Sequence, residues 1–267
     1  MPVIDFRARP NTPEYMALYD NAASRRNWEV RFKFPKPPDQ PLEAFMASVA
    51  AHGIDRIVFT GRQTATRSLS NDYIAACVQQ YPDRIIGFAG IDVASGLAAV
   101  AELERAVATL GLRGVSLDPH AASAYPSDPA FYPIYRKALE LDVPVVFTMG
   151  PIVGKWGHPQ GVDDLAREFP DLKIVCSHGI WPQVTEFLAL AYRHENVYLE
   201  TSIYEFLPGG ALFVEFANDV MPEKILYASA FPFRPLSDLE RYRRFPFKPG
   251  ILDRILWDNP ARLLKIV

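Results

Sequence analysis

A single histidine ends one of the short apolar runs in this sequence. Residues 173–179 are rich in β-branched side chains and stop at His178 and Gly179, a pattern typical of a buried strand. His178 therefore stands at the carboxyl end of a predicted strand, which is the catalytic face of a β/α barrel. A histidine there is able to handle protons or bind a metal, and it is equally able to cap the strand by bonding a loop carbonyl.

Two arginines alternate along the first predicted strand, residues 3–10. The alternation places Asp5, Arg7 and Arg9 on one side. Paired guanidinium groups in a barrel mouth would hold a carboxylate through bidentate hydrogen bonds, and they would also stabilise an oxyanion in a transition state. The alternative is that they form ion pairs with Asp5, Asp118 or Glu200.

Further polar and aromatic side chains follow other predicted strands. We take them as candidate substrate-binding residues, and for each of them an exposed or loop-stabilising role is an equal alternative. They are Arg62, His120, Trp156, His158, Glu200 and Tyr204. Cys77 and Cys176 are too few and too differently placed for a disulfide framework, so we expect both to be packing residues.

The elements that must position these side chains repeat along the chain. Strands are predicted at 3–10, 56–60, 85–92, 114–120, 144–150, 173–179, 196–202 and 224–229. Helices are predicted between them, at 42–52, 71–80, 96–110, 130–141, 162–169, 181–192 and 211–220, and two more close the chain at 236–244 and 250–266. This alternation predicts an α/β protein, a single (β/α)8 TIM barrel over residues 1–267, with a doubly wound open sheet as the alternative.

The segment between the first strand and the first long helix is different. Residues 11–40 are rich in proline and aromatic side chains. A connection of this length is usually functional. We expect a lid, or a surface that completes a neighbouring subunit of a homo-oligomer.

Composition narrows the class of partner. The net charge is −3 and no Lys or Arg block occurs, which argues against nucleic acid. No apolar run approaches the roughly 20 residues of a membrane span, and no signal segment opens the sequence, so we expect a cytoplasmic protein without a membrane partner. Gly61, Gly90 and Gly150 stand alone, so no nucleotide site is predicted. A small anionic organic substrate is the expected partner.

Several segments together resemble the amidohydrolase-related family, often called amidohydrolase 2. They are residues 4–10, 111–117, 177–179, 196–202, 225–232 and 259–264. The resemblance spans essentially the whole chain and implies the barrel fold. The family contains metal-dependent hydrolases and decarboxylases, and also the metal-independent pyrone dicarboxylate lactonases.

The sequence departs from the family at its metal ligands. The usual His-x-His pair of the first strand falls on Arg7 and Arg9, and the ligand of the fifth strand falls on Thr148. His178 matches the histidine of the sixth strand. Since guanidinium groups are cationic and offer no lone pair, we predict no catalytic metal and no other cofactor.

The aspartate of the family's eighth strand falls on Ala230. In the family this residue holds the metal or exchanges a proton. Either the natural protein is inactive, or an Asp→Ala replacement was made to trap a ligand, and we favour the second explanation.

The resemblance therefore implies a metal-independent hydrolase for a lactone, ester or cyclic amide from aromatic catabolism. Arg7 and Arg9 would anchor a carboxylate or polarise the carbonyl, His178 would hold water, and an aspartate at position 230 would take the proton. The alternatives are a decarboxylase or hydratase of an aromatic or unsaturated acid, and a non-catalytic barrel that binds an anionic metabolite.

Overall fold

Eight parallel strands within residues 1–266, the part of the chain that the computed structural model describes, form one sheet in chain order. They are β1 Ile4–Asp5, β2 Arg56–Thr60, β3 Ile85–Ile91, β4 Val115–Leu117, β5 Val145–Thr148, β6 Ile174–Ser177, β7 Val197–Glu200 and β8 Ile225–Leu226. Phe6 N donates a 3.0 Å hydrogen bond to Tyr227 O, which joins the two ends of the sheet. The predicted (β/α)8 barrel is confirmed.

Helices occur between the strands along the chain and after the last strand. They are α1 Pro13–Ala17, α2 Ala22–Arg26, α3 Leu42–Ala51, α4 Asn71–Gln80, α5 Leu97–Glu104, α6 Tyr132–Glu140, α7 Gln160–Glu168, α8 Val184–Arg193, α9 Leu212–Asp219, α10 Asp238–Tyr242, α11 Ile251–Asp253 and α12 Asn259–Leu263. Helix α4 begins where the sequence predicts, because Ser70 caps it: Ser70 Oγ accepts a hydrogen bond from Asp72 N. Several other boundaries differ from the prediction by one to three residues.

Two apolar layers hold the barrel together. Inside it, Ile4, Phe6, Val58 and Phe88 pack with Leu264 and its neighbours, so the end of the chain closes the amino-terminal side. Outside, Ile57 and Phe59 belong to the larger core between strands and helices. The odd and even residues of β2 therefore face opposite layers, as the pleat of a strand requires.

The first strand is shorter than the sequence predicts. Its ladder ends at Asp5, whose Oδ1 accepts hydrogen bonds from Arg7 N at 3.1 Å and Ser229 N at 2.9 Å. The Asp5 side chain accepts hydrogen bonds from backbone N–H groups in place of a neighbouring strand, and the backbone turns there. Aspartate side chains often compete in this way with the hydrogen bonds of a sheet. Asp5 therefore bonds backbone groups at the end of the first strand.

Residues 11–40 fold over the carboxyl-terminal mouth of the barrel. Helices α1 and α2 lead into a π-helical turn, Asn27–Phe32, and then into an extended chain. Trp28 stacks on Phe233 at a centroid distance of 4.9 Å, and its Nε1 donates to Pro232 O at 2.9 Å. We call this segment the lid. Its contact with a neighbouring subunit stays a prediction.

None of the helices in residues 1–266 is both long enough and apolar enough to cross a membrane.

Candidate active site

A small cavity of about 70 Å³ lies beneath the lid, at the carboxyl ends of the strands. Its walls come from the ends of β1, β2, β5 and β6, from the loops that follow them and β7 and β8, and from the lid. The lining residues are Arg7, Arg9, Tyr19, Ser24, Asn27, Phe32, Arg62, Arg67, Thr148, Met149, Ile152, His178, Ile203 and Phe233. Ligand pockets usually measure about 300–1,000 Å³, so a substrate must displace part of the lid or extend beyond this cavity.

Arg7 and Arg9 lie side by side in this wall, with 1% and 2% of their surfaces exposed. Arg7 NH2 donates to Thr148 Oγ1 at 3.1 Å, and Arg9 Nε donates to Thr60 O at 3.1 Å. Arg7 Nε and NH1 and Arg9 NH2 have no hydrogen-bond partner within residues 1–266. Burial, followed by the charge of Arg9, lowers the pKa of Arg7 to about 9. The pair is therefore a cationic site with spare donors.

Arg62 completes the cluster from the end of β2. Its Nε lies 3.1 Å from Asp118 Oδ2, and its NH2 lies 3.3 Å from Thr148 Oγ1. Burial alone would raise the pKa of Asp118, but Arg62 and His120 outweigh it and lower the pKa to about 2. Asp118 is thus a carboxylate that neutralises Arg62 and leaves Arg7 and Arg9 available to a ligand.

A glycine on the neighbouring strand sets the position of Arg62. A Cβ at Gly90 would lie 2.4 Å from Arg62 N and 2.8 Å from its Cα. Real Cβ atoms do not approach backbone so closely, so only glycine lets the two strand ends meet here.

His178 lies directly after β6, with its backbone in the left-handed region at φ 64°. Its Nδ1 is 2.8 Å from Ser202 Oγ and 3.3 Å from Ser202 O. A carbonyl oxygen only accepts, so this contact favours the tautomer with the proton on Nδ1 and a lone pair on Nε2. Burial, then Arg7 and Arg9, hold the pKa of His178 well below its usual value. His178 is therefore a neutral acceptor.

Glu200 supports His178 from the end of β7. Its Oε1 accepts from Ser202 N at 2.6 Å, its Oε2 accepts from Ser177 Oγ, and Oε2 lies 4.0 Å from His178 Nδ1. The carboxylate is fully buried and does not line the cavity. The structure therefore places Glu200 where it orients the histidine, and not where it would touch a substrate as the sequence suggested.

Tyr204 lies between this cavity and a larger one. Its ring meets His178 edge to face at 6.1 Å, and it also lines an outer cavity of about 590 Å³. Phe32, Ile152 and Ile203 line both cavities and so form the partition between them. The outer cavity also contains the cationic side chains of Arg31, Lys33, Arg234 and Arg241. A ligand reaching past the partition would enter a second basic chamber.

The other three candidates do not line either cavity. His120 Nδ1 lies 3.8 Å from Asp118 Oδ1, behind Arg62. Trp156 packs edge to face on Tyr125 at 4.9 Å, and the exposed His158 accepts a bond from Gln160 N through its Nδ1 at 3.2 Å. The loop after β5 therefore directs both side chains away from the arginines.

Ala230 is buried after β8, and its backbone lies in the left-handed region at φ 57°. Asp and Asn adopt this conformation more readily than Ala, so the backbone suits the aspartate expected there. Ala230 does not line the cavity.

At four of the five positions that match the family's metal ligands, all except His178, the side chains do not suit a divalent cation. Arg7 and Arg9 are cationic donors, Thr148 already accepts from Arg7 and Arg62, and Ala230 has no donor atom. Within residues 1–266, no three His, Cys, Asp or Glu side chains are grouped as a metal site. Zinc, manganese and magnesium need lone pairs that this donor set does not supply.

Among the titratable residues that line the cavity, sequence reasoning missed two. Arg67 lies on a short antiparallel hairpin that pairs Gln63–Thr64 with Arg67–Ser68. The residues of this hairpin do not alternate between apolar and polar, so no sequence pattern predicts a strand there. Tyr19 was placed in the lid, without a role. The two are in contact, with the Arg67 guanidinium 5.2 Å from the centre of the Tyr19 ring.

The whole length of the chain matches known proteins. A family model described as amidohydrolase covers residues 4–266. The chain belongs to the amidohydrolase family. It is 31% identical to a γ-resorcylate decarboxylase of a Polaromonas species, with 84% of each chain covered. A further match, 30% identical to the 2-amino-3-carboxymuconate-6-semialdehyde decarboxylase of Dictyostelium discoideum, covers 34% of this chain and only 25% of that protein.

A solved structure has the same barrel fold as this chain. The chain is similar to an uncharacterised TIM-barrel protein of Bordetella bronchiseptica, with 31% identity, 99% of each chain covered and a TM-score of 0.91. The relatives with a stated activity in this comparison are enzymes, and they include decarboxylases.

Proposed function

We propose that this protein is a metal-independent hydrolase that opens a lactone, ester or cyclic amide on a small organic carboxylate. The observation that carries the proposal is the set of spare guanidinium donors on Arg7 and Arg9, which line one buried cavity with neutral His178. Such donors match an anion, and they also match the oxyanion that forms when water adds to a carbonyl carbon.

Each group has a step to perform. Arg7 and Arg9 bind the carboxylate or polarise the carbonyl, and they stabilise the negative charge as the carbonyl becomes tetrahedral. His178 Nε2 accepts a hydrogen bond from the attacking water and orients it, while Ser202 and Glu200 hold the ring in place. A carboxylate restored at position 230 would add a proton acceptor.

Decarboxylation of an aromatic acid is the second candidate, because the Polaromonas relative that matches 84% of the chain is a decarboxylase. Two features of the site oppose it. The arginines stabilise a carboxylate, which is the group that must leave, and a histidine with a depressed pKa is a poor source of a proton for a ring carbon.

One experiment separates the candidates. The protein is freed of added metal with a chelator and incubated with panels of lactone carboxylates and hydroxybenzoates, while acid release and carbon dioxide are followed in parallel. We expect acid release without carbon dioxide, and ¹⁸O from labelled water in the product carboxylate. Carbon dioxide as the product would establish the decarboxylase, and ligand binding without either product would establish a non-catalytic barrel.

A further inference from the structure

The cavity lacks the carboxylate that usually accepts a proton in such a reaction. No Asp or Glu lines it within residues 1–266, and apart from the arginines its titratable side chains are His178 and Tyr19. General-base catalysis is most effective when the pKa of the base lies near the working pH. Burial, then Arg7 and Arg9, lower the pKa of His178, which weakens it as a base, so Tyr19 is the group left to consider.

Tyr19 is held firmly in the cavity wall. It lies in the lid between α1 and α2, with 3% of its surface exposed. Its ring packs edge to face on Phe233 at 5.0 Å and on Trp28 at 6.1 Å. Tyr15 donates its hydroxyl proton to the Tyr19 oxygen at 3.2 Å, an arrangement that stabilises negative charge on Tyr19.

Three arginines face Tyr19, and one of them, Arg62, is paired with Asp118. Arg67 lies over its ring from the hairpin, Arg9 approaches from β1, and Arg62 approaches from β2. Burial alone would raise the pKa of Tyr19, but Arg62, Arg9, the hydrogen bond from Tyr15 and Arg67 outweigh it and lower the pKa below its ordinary value. Burial, together with the neighbouring Tyr19, raises the pKa of Tyr15 although Arg9 and Arg62 oppose it, so Tyr15 keeps its proton and remains the donor.

We propose that Tyr19 ionises within the arginine cluster and that its phenolate is the proton acceptor for the attacking water. The role in catalysis rests on the proposed hydrolase function. The phenolate oxygen takes one proton from water while the water oxygen bonds to the carbonyl carbon. When the bond from that carbon to the ring oxygen or nitrogen breaks, Tyr19 returns the proton to the departing atom, so protons and charge balance.

The ionisation is tested without any substrate. The ultraviolet absorbance of tyrosinate is titrated in the whole protein and in the Tyr19→Phe variant, which keeps the ring packing. We expect one tyrosine of the unaltered protein to ionise below the ordinary value of about 10, and this step to vanish in Tyr19→Phe. Arg67→Met should move the step to higher pH, whereas Tyr192→Phe, at an exposed tyrosine, should leave it unchanged. Identical titrations of the unaltered protein and Tyr19→Phe below that value would overturn the proposal.

Kinetics then test the use of the phenolate. On a lactone that is turned over, Tyr19→Phe should lower kcat by about 10²–10⁴-fold with little change in KM, the usual loss for a general base. The Tyr19→Phe variant should also lose the increase of kcat with pH that accompanies the ionisation of Tyr19. A kcat within about twofold of the unaltered protein, with the same pH profile, would refute the catalytic role. If the protein hydrolysed none of the lactones, the proposed function would be refuted. The titration would still decide whether Tyr19 ionises.

Discussion

The spare donors of Arg7 and Arg9 make the free protein less stable than its fold would allow. A buried charge without a full set of hydrogen bonds costs free energy, and apolar replacements at such sites are often neutral or stabilising. Binding an anion removes that cost. Function and stability therefore oppose each other at these two residues.

Replacing Arg7 by Met tests this opposition. We expect Arg7→Met to raise the free energy of unfolding by about 1–4 kcal/mol, since an unpaired buried cation is exchanged for an apolar chain of similar length. Citrate should raise the Tm of the unaltered protein and not that of the variant. Denaturant unfolding and thermal scans measure both. Arg136→Met, at an exposed arginine, is the control, and a large loss of stability in Arg7→Met would show that Arg7 is structural.

The neutral state of His178 predicts a pH dependence of stability. The unfolded chain takes up a proton near the ordinary histidine pKa of about 6.5, whereas folded His178 does not. Stability from this group is therefore present above that pH and is lost as the pH falls below it. His178→Asn, which tolerates the left-handed backbone, should weaken that decline. Burial raises the pKa of Asp5 to about 6 and so acts in the opposite direction as pH falls, but Asp5 is common to both proteins and cancels in the comparison.

Unfolding free energies of the two proteins, measured across this pH range, check the prediction. Equal pH slopes would mean that His178 is able to take up its proton in the folded state.

Restoring a carboxylate at position 230 should change the reaction rate. We expect Ala230→Asp to increase turnover on a substrate that binds, and to move the rising limb of the pH profile to lower pH, because a carboxylate accepts a proton at lower pH than a phenolate. Ala230→Asn, with the same backbone preference and no charge, is the matched control. Equal activity of the Asp and Asn variants would contradict an Asp→Ala origin of Ala230.

Among the elements, the lid decides access to the arginines. Its aromatic side chains bind it to the loop after β8, and Arg234 NH1 also donates to Phe32 O at 3.0 Å. The cavity beneath is too small for an aromatic acid while these contacts hold. Opening of the lid, or movement of its Phe32 side chain, must therefore precede binding.

Trp28→Ala tests the attachment of the lid. It removes the stack on Phe233 and the bond to Pro232 O, interactions on the scale of about 3–5 kcal/mol for a buried tryptophan. We expect proteases to cleave within residues 11–40 much faster, while the barrel stays folded. Val30→Ala alters a side chain that is 57% exposed in the same segment and should have little effect. Equal cleavage rates in the two variants would show that Trp28 does not fasten the lid.

The sequence predicted the strands and their functional ends better than the loops between them. Arg62 and His178 lie just after β2 and β6, where the sequence placed them, because glycines mark those strand ends locally. Arg7 and Arg9 were predicted within the first strand and instead follow its end. Trp156 was not predictable, since its position depends on Tyr125, a partner in a distant loop. Arg67 and Tyr19 come into contact only when the chain folds, so no local pattern in the sequence predicts that they meet.

Over the whole molecule, charge is distributed unevenly. The formal net charge is −3, yet Arg31, Lys33 and Arg241 surround the outer cavity. A local positive potential attracts anions even to a protein of negative net charge, and salt screens it over about 8 Å at physiological ionic strength. We therefore expect the outer cavity to act as an electrostatic funnel that draws anions toward Arg7 and Arg9.

Stopped-flow association of an anionic ligand tests this funnel. We expect the association rate to fall as salt rises, and Arg241→Met to lower both the rate and its salt dependence. Arg136→Met should behave like the unaltered protein. A rate independent of salt would place the entrance elsewhere.

Gly90 shows how such a site is able to change over evolutionary time. A side chain there would collide with the backbone of Arg62, although Gly90 itself lines neither cavity. A single methyl group would thus displace one arginine of the cluster while every ligand-contacting residue kept its identity. A substitution at this one position, outside both cavities, would therefore change the anion site through the backbone of Arg62.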